Sequence, residues 1–218
     1  MSNDASASGY PEWTFSGEAA NHHYLVPAVL RSLPPERGLR LLDIGCGNGA
    51  LSARLAQAGM KVTGIDFTLS GIERARGSFP DLEFAAHDIT EPLPPELRGR
   101  FDVVVSAEVI EHLFLPRGLF ARAREALVPG GTLIVTTPYH GYWKNLAIAL
   151  TGRFDPHWVA LSDYGHIKFF SQATLSALAR ECGFEPVRWI RAGRIPPLAA
   201  TMVMTAKPRA EGAGSKGG

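Results

Sequence analysis

Three aspartates, Asp43, Asp66 and Asp88, each stand at the end of an apolar stretch, at nearly even intervals along the first half of the chain. The first lies just before Gly45-x-Gly47-x-Gly49 in "LLDIGCGNGA". Glycines at such a turn can take positive φ and let a ligand reach the backbone without meeting a Cβ. Because Ala50 follows, the string also satisfies the dinucleotide template G-x-G-x-x-A, and the turn alone leaves two cofactor classes open. Asp66 could accept hydrogen bonds from a ribose diol in either class. A carboxylate at Asp43 suits an ammonium or a sulfonium and is a poor neighbour for a pyrophosphate. Asp88 could accept from an adenine amino group, with Ile89 against the ring. An amine, a ribose and an adenine, with no phosphate, together describe S-adenosylmethionine.

A second group of reactive residues follows. "SAEVIEHL" sets Glu108, Glu111 and His112 at i, i+3 and i+4, and a helical turn there would bring all three onto one face. Two carboxylates and an imidazole could bind a divalent metal, or His112 could act as a base. Packing roles are equally open for all three, and no metal is favoured. Residues 138–170 then carry Tyr139, His140, Tyr142, Trp143, His157, Trp158, Tyr164, His166, Lys168 and Phe169. So long a connection in an α/β unit is generally functional, and it reads as a substrate cover. His140, directly after a strand, and His166, in a Gly-flanked loop, are the candidate catalytic bases. Tyr139, Trp143 and Phe169 are candidate substrate contacts or the insert's own small core, and Tyr24 is a further candidate contact.

The elements that must position these groups alternate. "LRLLDIG", "KVTGID", "LEFAAHDI", "FDVVVSAE" and "TLIVTTP" read as strands, the fourth with the near-continuous apolar centre of a strand covered on both faces. Between them, "ALSARLAQAG", "SGIERARGSF" and "PRGLFARAREALVPGG" read as helices. Ser70 is a possible cap of the second, and Pro129-Gly130-Gly131 ends the third. An earlier helix over 17–33 precedes the first strand. "WKNLAIALTG" is a short amphipathic helix, and Ser171 caps a helix in "SQATLSALARECGF". "EPVRWIRAG" and "ATMVMTAK" close the chain as a hairpin. Alternating strands and helices predict an α/β, doubly wound, mostly parallel sheet with an antiparallel C-terminal hairpin. The expected organisation is a flexible N-terminal arm at 1–16, a single domain at 17–208 with the cover at 138–170, and a disordered tail at 209–218.

The chain has 218 residues, enough for one substantial core, and a formal net charge of +1. That balance gives no sign of a nucleic-acid partner. Cys46 and Cys182 form neither a disulfide framework nor a metal-ligand cluster by spacing, which fits a reducing compartment. "MSNDASASGY" has no basic start or apolar core of a secretory signal, and no stretch approaches the roughly 20 apolar residues of a membrane span. A cytoplasmic protein with a small-molecule substrate is expected.

Taken together, "LLDIGCGNG", "GID", "HDI", "EVIEHL" and "LVPGGTLIVTTP" resemble the class I S-adenosylmethionine-dependent methyltransferases, in particular the branch of the ubiquinone-pathway O-methyltransferases. The resemblance covers about residues 40–138, with a weaker echo in "GHIKFFSQATLSALARECGF". It implies a Rossmann-like, seven-stranded sheet with a reversed hairpin. It also implies cofactor contacts at Asp43, Gly45, Gly47, Asp66, Asp88 and Ile89, to which Cys46, Phe67, Ala107, Glu108 and His112 are added as neighbours. In those enzymes the matching E-x-x-E-H is associated with a metal near the substrate. The expectation is methyl transfer to a small-molecule oxygen by in-line displacement. A nicotinamide-dependent oxidoreductase and a catalytically inactive cofactor-binding regulator are the alternatives.

Overall fold

A computed structural model describes residues 19–158 and 165–209. The expected N-terminal arm and nearly all of the expected tail lie outside the described residues, as do Tyr164 and its five predecessors in the insert. Seven strands form one sheet, β1 Arg40–Ile44, β2 Lys61–Asp66, β3 Glu83–Ala86, β4 Phe101–Ala107, β5 Leu127–Pro138, β6 Phe184–Ala192 and β7 Thr201–Pro208. Their order is β3-β2-β1-β4-β5-β7-β6. The first five run parallel, while β7 pairs antiparallel with both β5 and β6. Strand order reverses between β1 and β4, and a crevice at such a switch point is where ligands bind in open α/β sheets.

The strands alternate in which face they bury. Leu42, Ile44, Val104, Leu133 and Val135 join one core with α4 (Arg117–Ala126) and α7 (Gln172–Glu181). Leu41, Val103, Val105, Ile134 and Val203 join a second core with α1 (His22–Leu30) and α2 (Ala50–Gln57). A sheet covered on both faces explains why its central strands read as continuous apolar runs. The remaining helices are α3 Leu69–Ser78, α5 Tyr142–Thr151 and the single turn α6 Asp155–Trp158. No helix among the described residues is long and apolar enough to cross a membrane.

Three local expectations are corrected. Ser70 does not cap α3; the helix starts one residue earlier, with Thr68 at the cap position and its N–H and hydroxyl both donated to Asp66. The helix expected to be ended by Pro129-Gly130-Gly131 stops earlier, at Ala126, and Pro129-Gly130-Gly131 belongs to β5. Proline disfavours helical backbone in the residue before it, so Val128 extends, and Leu127 is already paired with Phe101 of β4. The face expected to carry Glu108, Glu111 and His112 is not built: Glu108 takes φ 55, and only a single 3-10 turn, Ile110–His112, follows. The Ser171 cap is present, with the Thr174 N–H donated to its hydroxyl oxygen.

Candidate active site at the strand ends

The groups that could do chemistry gather at the carboxyl ends of the parallel strands, and the switch point divides them. Beyond β1, β2 and β3 lie the glycine turn and the three aspartates. Gly45, Gly47 and Gly49 all have positive φ, at 80, 52 and 78°. A Cβ on Gly45 would also run into the Val109 side chain, so both backbone and space require glycine there. Asp66 locks the turn: its Oδ2 accepts the Gly47 N–H at 2.9 Å, and its Oδ1 accepts the Thr68 N–H at 2.8 Å.

Asp43 is 1% exposed. Its Oδ2 accepts the Ser52 hydroxyl at 2.6 Å, while its Oδ1 is buried with no hydrogen-bond partner among the described residues. Burial pushes its pKa up to about 6, against the Ser52 bond and with help from the nearby Asp66 charge. A buried carboxylate oxygen with no partner is costly, and a cation placed there would relieve it. Asp88 lies exposed two residues beyond β3, its Oδ1 held by the Thr90 N–H at 2.8 Å, and Ile89 packs on the larger core. Phe67 is 43% exposed at the end of β2, while Cys46 is buried against the first glycines and Ala107 half-buried at the end of β4.

Beyond β4 and β5 stand the acid and the imidazoles. Glu108 turns across the sheet, its Oε1 accepting the hydroxyls of Thr136 and Thr201 at 2.8 Å each. Its strained backbone is held by its N–H, donated to Thr136 at both the carbonyl and the hydroxyl oxygen. Glu108 therefore does not join Glu111 and His112. His166 does instead: one ligand atom from each of Glu111, His112 and His166 lies within 4.8 Å of the others. The chain reaches this grouping by its backbone, because the N–H groups of Ile167 and Lys168 are both donated to the Glu111 carbonyl at 3.0 Å.

Glu111 is fully buried, and neither carboxylate oxygen makes a hydrogen bond among the described residues. Burial, then the Glu108 charge, hold its pKa well above the usual carboxylate range, and the nearby Thr137 hydroxyl offsets this only weakly. His166 Nε2 is 3.9 Å from Glu111 Oε1, and the His166 and His112 rings meet edge-on at 4.9 Å. Burial, and the charge His112 would carry if protonated, lower the His166 pKa. Two imidazoles and an orphaned carboxylate are a donor set that fits a divalent ion. The set that fits is Glu111, His112 and His166, not the Glu108, Glu111 and His112 expected from spacing.

The described part of the insert divides between exposed aromatics and core residues. Tyr139 is 7% exposed in the larger core, with the Arg191 guanidinium over its ring at 4.7 Å. Trp143, 63% exposed, meets Tyr142 edge-on at 5.3 Å and contributes to no core. Phe169 meets His140 edge-on at 5.1 Å, and the His140 N–H is donated to the Phe170 carbonyl. Burial and the Lys144 charge push the His140 pKa down to about 4, which makes it a weak base. Tyr24 is half-buried against Gly193 at the β6–β7 connection. Two cavities, of about 470 and 380 Å³, lie beside α7 and at the amino ends of β1–β4 near Lys61. Neither adjoins the glycine turn, so the chemistry and not cavity size marks the site.

Sequence reasoning missed Ser52, Thr136, Thr201 and Lys144. The hydroxyls gave no signal apart from their places opposite the strand-end acids. Lys144 is the lone cation in "YWKNLAIAL", and its burial reverses the pattern expected of a surface helix.

These features define a class of protein, a cofactor-binding α/β enzyme with acids at consecutive strand ends and a cluster of a glutamate and two histidines across the switch point. The family profile described as a methyltransferase domain matches residues 18–188, and the chain belongs to that family. It is 35% identical over 156 residues to the ubiquinone biosynthesis O-methyltransferase of Cereibacter sphaeroides, covering 70% of this chain and 63% of that one. With the enzyme of the same description from Azorhizobium caulinodans it shares 38% identity over 160 residues, 71% of this chain and 62% of the relative. The chain thus spans less than two thirds of the length of these relatives. The solved magnesium protoporphyrin IX methyltransferase of Synechocystis, which holds S-adenosylhomocysteine, superimposes with a TM-score of 0.64 at 20% identity, covering 85% of this chain and 82% of that one. Family membership decides against the dinucleotide oxidoreductase reading of the glycine turn.

Proposed function

We propose that this S-adenosylmethionine-dependent methyltransferase methylates an oxygen of a small-molecule acceptor held between α5, residues 165–170 and the ends of β4 and β5. The observation that carries the reading is Asp43: a buried carboxylate with one orphaned oxygen at a glycine turn suits a ligand bearing an ammonium and a sulfonium. The cofactor then lies over β1–β3, with Asp66 toward the ribose and Asp88 and Ile89 toward the adenine. Cys46, Phe67 and Ala107 border it. The acceptor faces the groups beyond β4 and β5, so the methyl passes across the switch point.

In the transfer, an acceptor oxygen lone pair attacks the methyl carbon, the carbon–sulfur bond breaks, and its electron pair stays on sulfur as S-adenosylhomocysteine is formed. The acceptor hydroxyl proton passes to His166. Burial lowers the His166 pKa, which favours the unprotonated ring that can accept it. General-base help is worth about 10²–10⁴-fold, and positioning alone up to about 7–11 kcal/mol of the barrier. His140 is better suited to holding the acceptor than to deprotonating it.

A second reading is favoured by the two orphaned oxygens of Glu111. Glu111, His112 and His166 would hold a divalent ion, which when bound would lower the acceptor's pKa as a Lewis acid. The relatives' description as O-methyltransferases supports oxygen as the acceptor atom. Incubating the purified protein with S-adenosylmethionine and a panel of catechols and hydroxybenzoates, with and without chelator, tests the reading. A product one methyl heavier on oxygen, formed despite chelation, is expected. Chelator-abolished turnover restored by a divalent ion would replace the base with the metal. No transfer to any hydroxyl acceptor would overturn the assignment to oxygen.

A further inference from the structure

Lys144 is a buried cation that forms no ion pair within 4 Å among the described residues. It is 8% exposed, and among the described residues its Nζ is donated to the Ala200 carbonyl, at 3.4 Å. α5 carries it against the β6–β7 connection, where the other polar groups of the acceptor side converge. Thr201, next to Ala200, binds Glu108, and the Tyr24 ring lies against Gly193 in the same connection. Arg194 follows Gly193 and is exposed, and its charge is felt at both Lys144 and Tyr24. Two cations therefore share one corner. The nearest acid, Glu108, has its Oε1 taken by two threonine hydroxyls and forms no ion pair with Lys144 within 4 Å among the described residues.

A buried ammonium is normally paired, because an isolated charge taken out of water is costly. Burial, then the Arg194 charge, push the Lys144 pKa down to about 8, against a smaller opposing pull from the Glu108 charge. The orientation of α5 reinforces the point. This helix buries Lys144 together with Ile148, one turn on along the same face, and leaves Tyr142 and Trp143 exposed, so the ammonium is carried inward on the face that packs against residues 196–198.

We infer that the acceptor carries a carboxylate as well as the hydroxyl to be methylated, and that Lys144, with Arg194 at the rim, is the specificity-determining pair that receives it. The inference rests on the methyltransferase reading above and adds the substrate class. The cofactor's own carboxylate is the less suitable occupant. The glycine turn and the aspartates lie over β1–β3, whereas Lys144 sits over β5 and β7, on the far side of β4.

The test uses the full chain. Titration with S-adenosylhomocysteine comes first; no binding would fail the methyltransferase reading itself, and the substrate assignment with it. The homocysteine-saturated protein is then titrated with 3,4-dihydroxybenzoate and with catechol, which differ by the carboxylate. The benzoate is expected to bind at least about tenfold tighter, the lower range for a hydrogen bond to a charged group. Lys144→Met, similar in length and uncharged, should bring the two ligands within about threefold while S-adenosylhomocysteine affinity is unchanged. Arg194→Gln, on an exposed position that folding does not depend on, should reduce the preference by about two- to fivefold, as for an exposed charge. Equal binding of the two ligands, binding of neither, or a preference that survives both substitutions would overturn the inference. Lost S-adenosylhomocysteine affinity in a folded Lys144→Met variant would also overturn it, by assigning the lysine to the cofactor's carboxylate.

Discussion

Replacing Asp43 with asparagine is expected to make the cofactor-free protein more stable and its hold on cofactor weaker. Asparagine keeps an acceptor for the Ser52 hydroxyl, so the packing and the 2.6 Å hydrogen bond are largely conserved while the charge is removed. Burial raises the carboxyl from 3.8 to about 6 in the folded chain. The folded state then retains a proton that the unfolded state loses between those values, so stability falls as pH rises from about 4 to about 6. At pH 7 the whole penalty is present. At about 1.4 kcal/mol per unit it amounts to roughly 3 kcal/mol, which relaxation around the site reduces to about 1–3. Calorimetric melting at pH 7 should show Asp43→Asn higher by about 2–12 °C, using about 2–4 °C per kcal/mol for a domain of this size. Near pH 4 the difference should vanish. Titration with S-adenosylhomocysteine at pH 7 should show the opposite change, an affinity about 10- to 150-fold lower for loss of a charge-assisted contact. A variant less stable at pH 7, or one that binds the nucleoside within twofold of wild type, would refute the idea that the buried charge is held for a cationic ligand.

Asp66→Ala should weaken S-adenosylhomocysteine binding by about 1.5–3 kcal/mol; it also frees the Gly47 and Thr68 N–H groups, so calorimetry should register a lower Tm alongside the lost affinity. Gly45→Ala, which combines positive φ with a collision at Val109, should destabilise by about 1–3 kcal/mol in a denaturant melt. Under the base reading His166→Ala should lower turnover by about 10²–10⁴-fold with cofactor affinity unchanged. The same reading predicts an acid limb in the wild-type rate below the ordinary imidazole value of 6.5, because burial lowers the folded pKa. Under the metal reading His112→Ala loses as much and chelation mimics it. Amide exchange over residues 19–24, 142–158 and 165–170 should slow when S-adenosylhomocysteine and acceptor are bound together and stay unchanged if these segments are no cover.

What could be read in advance followed periodicity and glycine chemistry. Phe101–Ala107 was legible because a strand buried on both faces leaves an apolar run, here Val103–Val105 between Asp102 and Ser106. The glycine turn was legible because only glycine serves three positive-φ positions in five residues. The grouping of Glu108, Glu111 and His112 expected from spacing is not formed, because that spacing was taken as helical. The backbone at Glu108 instead turns left-handed, sends that carboxylate to Thr136 and Thr201, and lets His166, 54 residues beyond His112, complete the cluster. No local pattern encodes that meeting, which depends on Ile167 and Lys168 docking on the Glu111 carbonyl. Lys144 was invisible for a different reason. In "WKNLAIAL" a lysine beside a tryptophan reads as the polar side of a surface helix, and only the packing of α5 on residues 196–200 buries it.

Titration calorimetry of the full chain against S-adenosylhomocysteine and against NAD tests the account most directly. The account predicts one site for S-adenosylhomocysteine with micromolar or tighter affinity, weakened in Asp43→Asn, and no binding of NAD. Tight binding of NAD with none of S-adenosylhomocysteine would contradict it.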